Sequence, residues 1–261
     1  ALLEINGDTS PEVFSAAGNS SAGFEVRAHD GTTGNLLWVR QFSSGYAANY
    51  VAIGQVLPDM DPELIVVHRN GTTSGSRLFI LDALTGAVDG TVDLPGTISY
   101  GSAPALADLN GDGLDDLVVA TESFLSAIAG GTLQQLPGFP TNLGSVWLGD
   151  SAPVIGDIGG PSGAEIVLTT KVPGSGSSEI HIINKNGTYM LPRQSMILGG
   201  GMTNAIHNLD DDGHNELVIA ARGAPTIGLQ DSIWVLDFSQ NELVPSIHDP
   251  VLWGQFGQNA E

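Results

Sequence analysis

Four short apolar segments repeating about every 50 residues, turns rich in Gly and Asn between them, and no apolar spacing of helical period predict an all-β fold, a β-propeller of four-stranded blades. The repeat is anchored by a loop that ends in an acid, at Glu12, Glu63, Asp116, Glu165 and Glu216. Five copies follow, over about residues 1–46, 47–98, 99–146, 147–197 and 198–247, with the start of a further copy at 248–261. Residues 251–261 repeat the register of residues 1–12, so in this single domain either the last strand is redundant or displaced, or the chain is a segment of a larger ring of about six to eight blades. Missing blades, or a partner closing the gap, are favoured because open sheet edges are a liability.

Each copy has the same order of elements. A short segment precedes the acidic loop, as in SAPALAD at 102–108 and SAPVIGD at 151–157. A β-branched run follows it: ELIVV, DLVVA, EIVLTT and ELVIA in copies two to five. Third strands are expected at 24–30, 77–82, 124–129, 179–184 and 232–238. Gly- and Asn-rich turns, such as DGTTGNLLW at 30–38 and DALTGAVDG at 82–90, then lead to a weaker fourth strand. A β-solenoid would have a shorter repeat, and an α-solenoid would space its apolar residues by helical turns. The linker-like PGSGSS at 173–178 lies between two strands of one copy and marks no domain boundary.

Composition narrows the function. The 261 residues carry 8 Lys plus Arg against 29 Asp plus Glu, a net charge of −21, while 41% are hydrophobic. That apolar share supports a core, and the acidity argues against nucleic acid and anionic membrane surfaces, both of which need cations. With no cysteine there is no disulfide framework, thiolate zinc site or cysteine nucleophile. No apolar run approaches the ~20 residues of a membrane span. No charged-then-apolar leader opens the sequence, so any signal peptide is removed or lies outside it.

The loops have calcium-ligand spacing. In DLNGDGLDD, Asp108, Asn110, Asp112 and Asp116 fall at alternate positions, with Gly113 after the third and the Leu114 carbonyl as a further oxygen. Calcium takes six to eight hard oxygens, and alternate side chains on a tight turn converge. NLDDDGHNE repeats the set as Asn208, Asp210, Asp212, the His214 carbonyl and Glu216. The first loop offers Glu4, Asn6, Asp8, the Ser10 carbonyl and Glu12, without the glycine. The loops at 55–63 and 157–165 have lost central ligands, with Leu57 in one and Gly159 and Pro161 in the other. Three calcium sites are therefore expected, in the third, fifth and first loops. Solvated turns of the same composition are the competing explanation. No amphipathic helix flanks these loops, so they are not EF-hands.

The repeats resemble the FG-GAP (VCBS-type) repeats of integrin α-subunit propellers and of many bacterial extracellular proteins. In YGSAPALADLNGDGLDDLVVA, 100–120, Tyr100-Gly101 stands for the Phe-Gly pair and Ser102-Ala103-Pro104 for the Gly-Ala-Pro triplet. LGDSAP at 148–153 matches again, whereas GGMTNA and NYVAIG depart from the pattern. The resemblance implies that the loop between the first two strands of a blade binds calcium, and this carries over to the first, third and fifth loops. The DGTTG and DALTG turns also resemble those of quinoprotein propellers, but no quinone-binding constellation accompanies them.

Three functional expectations follow. The first is a calcium-binding extracellular or cell-surface module, with the periplasm as the alternative compartment, for adhesion to a protein or glycan. The second is an enzyme of polysaccharide-lyase type, which would need a His, Lys or Tyr base beside Arg and calcium. Lys171 and Lys185 are the two lysines, and no HxxxH or HxH pair occurs among the six histidines, so the material is thin. The paired Asp115 and Asp116 have a glycosidase-like look but belong to the loop. The third is a subunit of a surface layer or filament, self-assembling through open repeat ends. Trp38, Trp147, Trp234 and Trp253 offer sugar-stacking rings, but blade-to-blade packing is the favoured explanation of such residues.

Overall fold

The structure, a computed structural model, describes residues 1–19, 23–43, 45–69, 75–98, 103–144, 146, 151–159, 163–174, 178–192, 194–196, 202–209, 213–221, 232–237, 246–247 and 251–252. The chain forms two compact units, Ala1–Gly144 and Ser145–Glu261. The first holds three antiparallel sheets in strict chain order. They comprise β1 (Leu2–Leu3), β2 (Glu12–Asn19), β3 (Gly23–His29) and β4 (Leu36–Phe42); β5 (Tyr46–Gly54), β6 (Glu63–Arg69), β7 (Ser76–Asp82) and β8 (Val88–Leu94); and β9 (Ala105–Ala107), β10 (Asp116–Ala120), β11 (Phe124–Ile128) and β12 (Thr141–Asn142). The second unit holds β13 (Val154–Gly156), β14 (Glu165–Lys171), β15 (Ser178–Asn184) and β16 (Gln194–Met196), then β17 (Met202–His207), β18 (Glu216–Ala221), β19 (Ser232–Asp237) and β20 (Ser246–Ile247).

The third strands of all five sheets and the second strands of the last four fall within a residue or two of their expected positions, and the fourth strands of the last three sheets shrink to two or three residues. β21 (Val251–Leu252), which the repeat register assigns to a further copy, pairs with β19 in the fifth sheet. Among the described residues no helix is long and apolar enough to cross a membrane.

The second strands β6, β10 and β14 are buried on both faces, which explains why they read as continuous apolar runs, whereas β2 alternates buried and exposed residues. Along β6, Leu64 and Val66 join Phe14, Val26 and Ala28 of the first sheet. Their neighbours Ile65 and Val67 join Leu117, Val119 and Ile128 of the third. One strand thus feeds two cores by side-chain alternation. In the second unit Val167, Ile180 and Ile182 meet Leu217, Ile219 and Leu236 in the same manner.

Trp38 belongs to this packing. Its indole Nε1 donates to the Ala83 carbonyl at 3.0 Å, and its ring lies over Gly86, where a Cβ would stand 2.6 Å from it. Trp234 packs against the second unit's core. Trp147 and Trp253 lie outside the described residues.

Candidate cation-binding loops

The acid that closes each loop is the first residue of its sheet's second strand, and all five are buried: Glu12, Glu63, Asp116, Glu165 and Glu216. A carboxylate in that position must be matched by donors. Each accepts the backbone N–H seven residues earlier: Ile5 at 2.7 Å, Val56 at 2.6 Å, Leu109 at 2.9 Å, Ile158 at 3.2 Å and Leu209 at 2.6 Å. The repeat unit is therefore a loop clamped to its strand by a buried carboxylate, whatever else the loop contains.

The turn that brings the ligands together requires a left-handed residue. Gly113 and Gly213 supply it with φ of 87° and 93°. At the same position the first two loops force Thr9 to 76° and Met60 to 74°. The loop geometry persists without glycine, at a cost of roughly 1–3 kcal/mol for such a residue.

In the first loop Glu4, Asp8 and Glu12 bring carboxylate oxygens within 4.8 Å of one another, and among the described residues no other three acids do so. Asn6 Nδ2 donates into this group, to Glu12 Oε1 at 2.6 Å, Asp8 Oδ2 at 3.4 Å and Asp30 Oδ2 at 3.3 Å. The Ser10 N–H donates to Asp8 Oδ1 at 2.8 Å, so Ser10 sits on the loop's inner turn. Asp30 is a fourth acid that loop spacing cannot reveal, because it comes from the β3–β4 turn. Hydrogen bonds from the Thr33 hydroxyl and N–H hold its carboxyl below the usual range. Thr32 from the same turn donates to Asp8 Oδ2 at 3.0 Å.

The third loop is a ladder of side chains accepting from the backbone. Asp108 accepts Gly111 N–H at 2.6 Å and Gly113 N–H at 2.9 Å. Asn110 Oδ1 accepts Asp112 N–H at 2.8 Å, and Asp112 accepts Leu114 N–H at 2.9 Å. Asn110 Nδ2 bridges Asp112 Oδ2 at 3.0 Å and Asp116 Oδ1 at 3.3 Å. Asp116 also accepts Gly130 N–H at 2.9 Å. Burial pushes the Asp116 carboxyl up, against the pull of those N–H groups, and the nearby Asp112 charge adds to the rise.

In the fifth loop Asp210 and Asp212 lie outside the described residues, whereas Asn208, His214 and Glu216 are described. Glu216 Oε1 is buried and has no hydrogen-bond partner. In the first and third loops the amides of Asn6 and Asn110 donate to the closing acid, and in the sequence the fifth loop has Asp210 at that repeat position, a residue with no amide.

The second loop closes differently. Gln55 Nε2 donates to the carbonyls of Leu57, at 2.7 Å, and Asp61, at 3.3 Å. Asp61 occupies the position whose carbonyl would be a cation ligand elsewhere, so a side-chain amide stands at the loop's centre. Burial pushes Glu63 up here as well, opposed by the Leu57 and Val56 N–H groups. Gln55→Leu is expected to increase hydrogen exchange across residues 55–63 to the same extent with calcium and with chelator. In the fourth loop Gly159 N–H donates to Asp157 Oδ1 at 2.9 Å.

Adjacent loops are also tied together within each unit. Asp115 N–H donates to the Gln55 carbonyl at 2.8 Å, and Gln55 N–H donates to Asp115 Oδ2 at 3.0 Å. Gly54 makes room for this, since a Cβ there would stand 2.4 Å from Asp115 Oδ2. Asn215, at the same place in the fifth loop, donates to the Asp157 carbonyl at 2.7 Å. Asp115 and Asp116 thus serve two loops and are not a facing catalytic pair. His181 is fully buried, with its nitrogens on Thr170 Oγ1 at 2.8 Å and Tyr189 Oη at 2.9 Å.

Comparison with known proteins agrees with the repeat reading. Residues 100–148 match the FG-GAP repeat family model. No curated protein sequence matches the chain. Among solved structures it is similar to the V. cholerae biofilm matrix protein Bap1, with a TM-score of 0.60 and 20% identity, covering 91% of this chain and 36% of that one. The Dos1 propeller gives a TM-score of 0.54 at 11% identity, over 96% of this chain and 58% of that one. BBS1N, solved in complex with ARL6DN, gives 0.55 at 14% identity, over 95% and 67%. The chain thus spans about a third and over half of the first two, and at these identities the likeness shows the fold. The chain is a β-propeller, and its residues 100–148 are an FG-GAP repeat.

Proposed function

We propose that the chain is a calcium-binding extracellular propeller that acts as a binding or adhesion module for a protein or glycan ligand. The observation that carries this reading is the convergence of Glu4, Asp8 and Glu12 within 4.8 Å in a chain of net charge −21. Three ionised carboxylates at that separation repel one another unless a cation sits among them. An all-oxygen set without thiolate or imidazole side chains suits a hard ion, and the ligand number suits calcium. The bound ion would neutralise charge and stiffen the loop. Glu4, Asn6, Asp8, the Ser10 carbonyl and Glu12 would hold one ion. Asp108, Asn110, Asp112, the Leu114 carbonyl and Asp116 would hold a second, and Asn208, Asp210, Asp212, the His214 carbonyl and Glu216 a third. The unpartnered Glu216 Oε1 supports the last of these.

The adhesion half of the proposal draws on Bap1 being a biofilm matrix protein and on BBS1N being solved with a protein partner. Fluorescently labelled chain is expected to be retained on matrix-bearing bacterial cells in millimolar calcium and released by EGTA. Absence of retention in calcium would refute the adhesion reading.

A further inference from the structure

A second site lies in the first unit, between the first two sheets and away from the acidic loops. A cleft of about 440 Å³ opens there, walled by Phe24, Phe42, Phe79 and His68 and rimmed by Arg77 and Asp93. Such a volume falls in the range of small-ligand pockets. A neighbouring cleft of about 560 Å³ shares Phe24 and Phe42 with it and is rimmed by Glu25 and Gln41. From these features we propose that the paired clefts bind a neutral pyranose ring, with the aromatic wall dividing two adjacent sugar subsites.

The wall is organised by strand register. Phe24 and Phe42 face each other across β3 and β4 and stack at 4.3 Å with an interplanar angle of 6°. Phe79 meets Phe42 at 4.5 Å, and His68 stacks on Phe24 at 5.0 Å. Phe42 and Phe79 are partly exposed and carry the ring surface open to the cleft, whereas Phe24, stacked on by Phe42 and His68, is buried and supports them. The floor is kept low by bare backbone: a Cβ on Gly18 would stand 2.3 Å from the Phe24 Cα.

The rim supplies complementary polarity with no net charge. Arg77 Nε donates to Asp93 Oδ1 at 2.6 Å across β7 and β8, and the two side chains are 46% and 76% exposed. Each holds the other charged. An exposed pair of this kind contributes little to stability, yet it sets a guanidinium donor beside a carboxylate acceptor. Arg27 and Glu25 form a second such pair, and Glu25 lines the second cleft. Vicinal hydroxyls of a sugar need a donor and an acceptor side by side, and the sugar's C–H face needs an aromatic surface. A cationic ligand would instead call for unpaired acids, and an anionic one for unpaired arginines. Two subsites sharing one wall fit a chain of linked sugars better than an isolated molecule.

This inference rests on the binding-module reading and gives that module a ligand class, but it does not depend on calcium. The test is saturation-transfer NMR on the full chain, with methyl α-glucoside, methyl β-galactoside, methyl α-mannoside, N-acetylglucosamine and, as a cationic aromatic probe, tyramine. At least one glycoside is expected to bind, with affinity falling tenfold or more in Asp93→Ala and Phe42→Ala and unchanged in Leu84→Ala. The exposed Asp93 makes that variant safe for folding, so it decides the matter if Phe42→Ala does not fold. Failure of all four sugars to bind the wild type, undiminished binding to Asp93→Ala, or binding of tyramine in their place would each overturn the proposal. Cell retention that survives in Asp93→Ala would overturn the cleft while leaving the adhesion reading intact.

Discussion

Asp116→Ala is expected to destabilise the first unit by on the order of 3 kcal/mol or more, even in chelator, because the side chain serves four donors. The N–H groups of Leu109 and Asn110 bond to Oδ2, and Gly130 N–H and the Asn110 amide bond to Oδ1. Removing the carboxylate leaves backbone donors unpaired in a buried place, at about 1–3 kcal/mol for each one that water cannot reach. Asp112→Ala is the informative comparison. Its carboxylate is exposed and accepts Leu114 N–H and the Asn110 amide, so its loss in chelator should cost under about 1 kcal/mol, as for most surface substitutions. Urea unfolding of both variants in EGTA separates clamp from ligand. Equal losses would show that the buried acid has no structural role beyond that of its exposed neighbour.

Calcium is expected to raise the melting temperature strongly. Only the folded loops assemble the ligands, so at a hundredfold excess over Kd each site adds about 2.7 kcal/mol. For units of this size that corresponds to roughly 10 °C per site. The effect should depend on pH with a definite sign. Burial raises Asp116 above its value in the unfolded chain. In the absence of metal its contribution is therefore present below the ordinary carboxylate pKa and lost as pH rises through the raised folded value. Calcium binds the ionised form and offsets that loss. The calcium increment in melting temperature should thus grow between about pH 5 and pH 7. Thermal scans in EGTA and in calcium at both pH values check this, and an increment that shrinks with rising pH would contradict it.

The architecture was legible because it is periodic. The acid at Glu12, Glu63, Asp116, Glu165 and Glu216 marks the start of the second strand in every sheet, and the third strands follow from β-branched runs of fixed spacing. What the sequence hid is tertiary. Asp30 joins the first loop from a turn, and nothing in the spacing of residues 4–12 points to it. Gln55 reads as the first oxygen ligand of a loop whose centre is lost at Leu57, whereas its amide closes the loop by hydrogen bonds. Asp115 reads as part of a metal loop, whereas it ties that loop to its neighbour. Thr9 and Met60 conceal a turn that glycine would have announced. The aromatic cleft depends on which face of β7 meets the apolar face of β3, and β7, apolar on both faces with Leu78 and Ile80 on one and Phe79 and Leu81 on the other, does not encode that choice.

Calcium titration by isothermal calorimetry of the chelator-stripped chain, alongside Glu4→Gln, tests the cation-binding claim most directly. About three ions per chain are expected for the wild type, with one fewer in Glu4→Gln, whose side chain is exposed and belongs to the first loop. A wild-type chain that is folded and releases no heat of binding at millimolar calcium would contradict it.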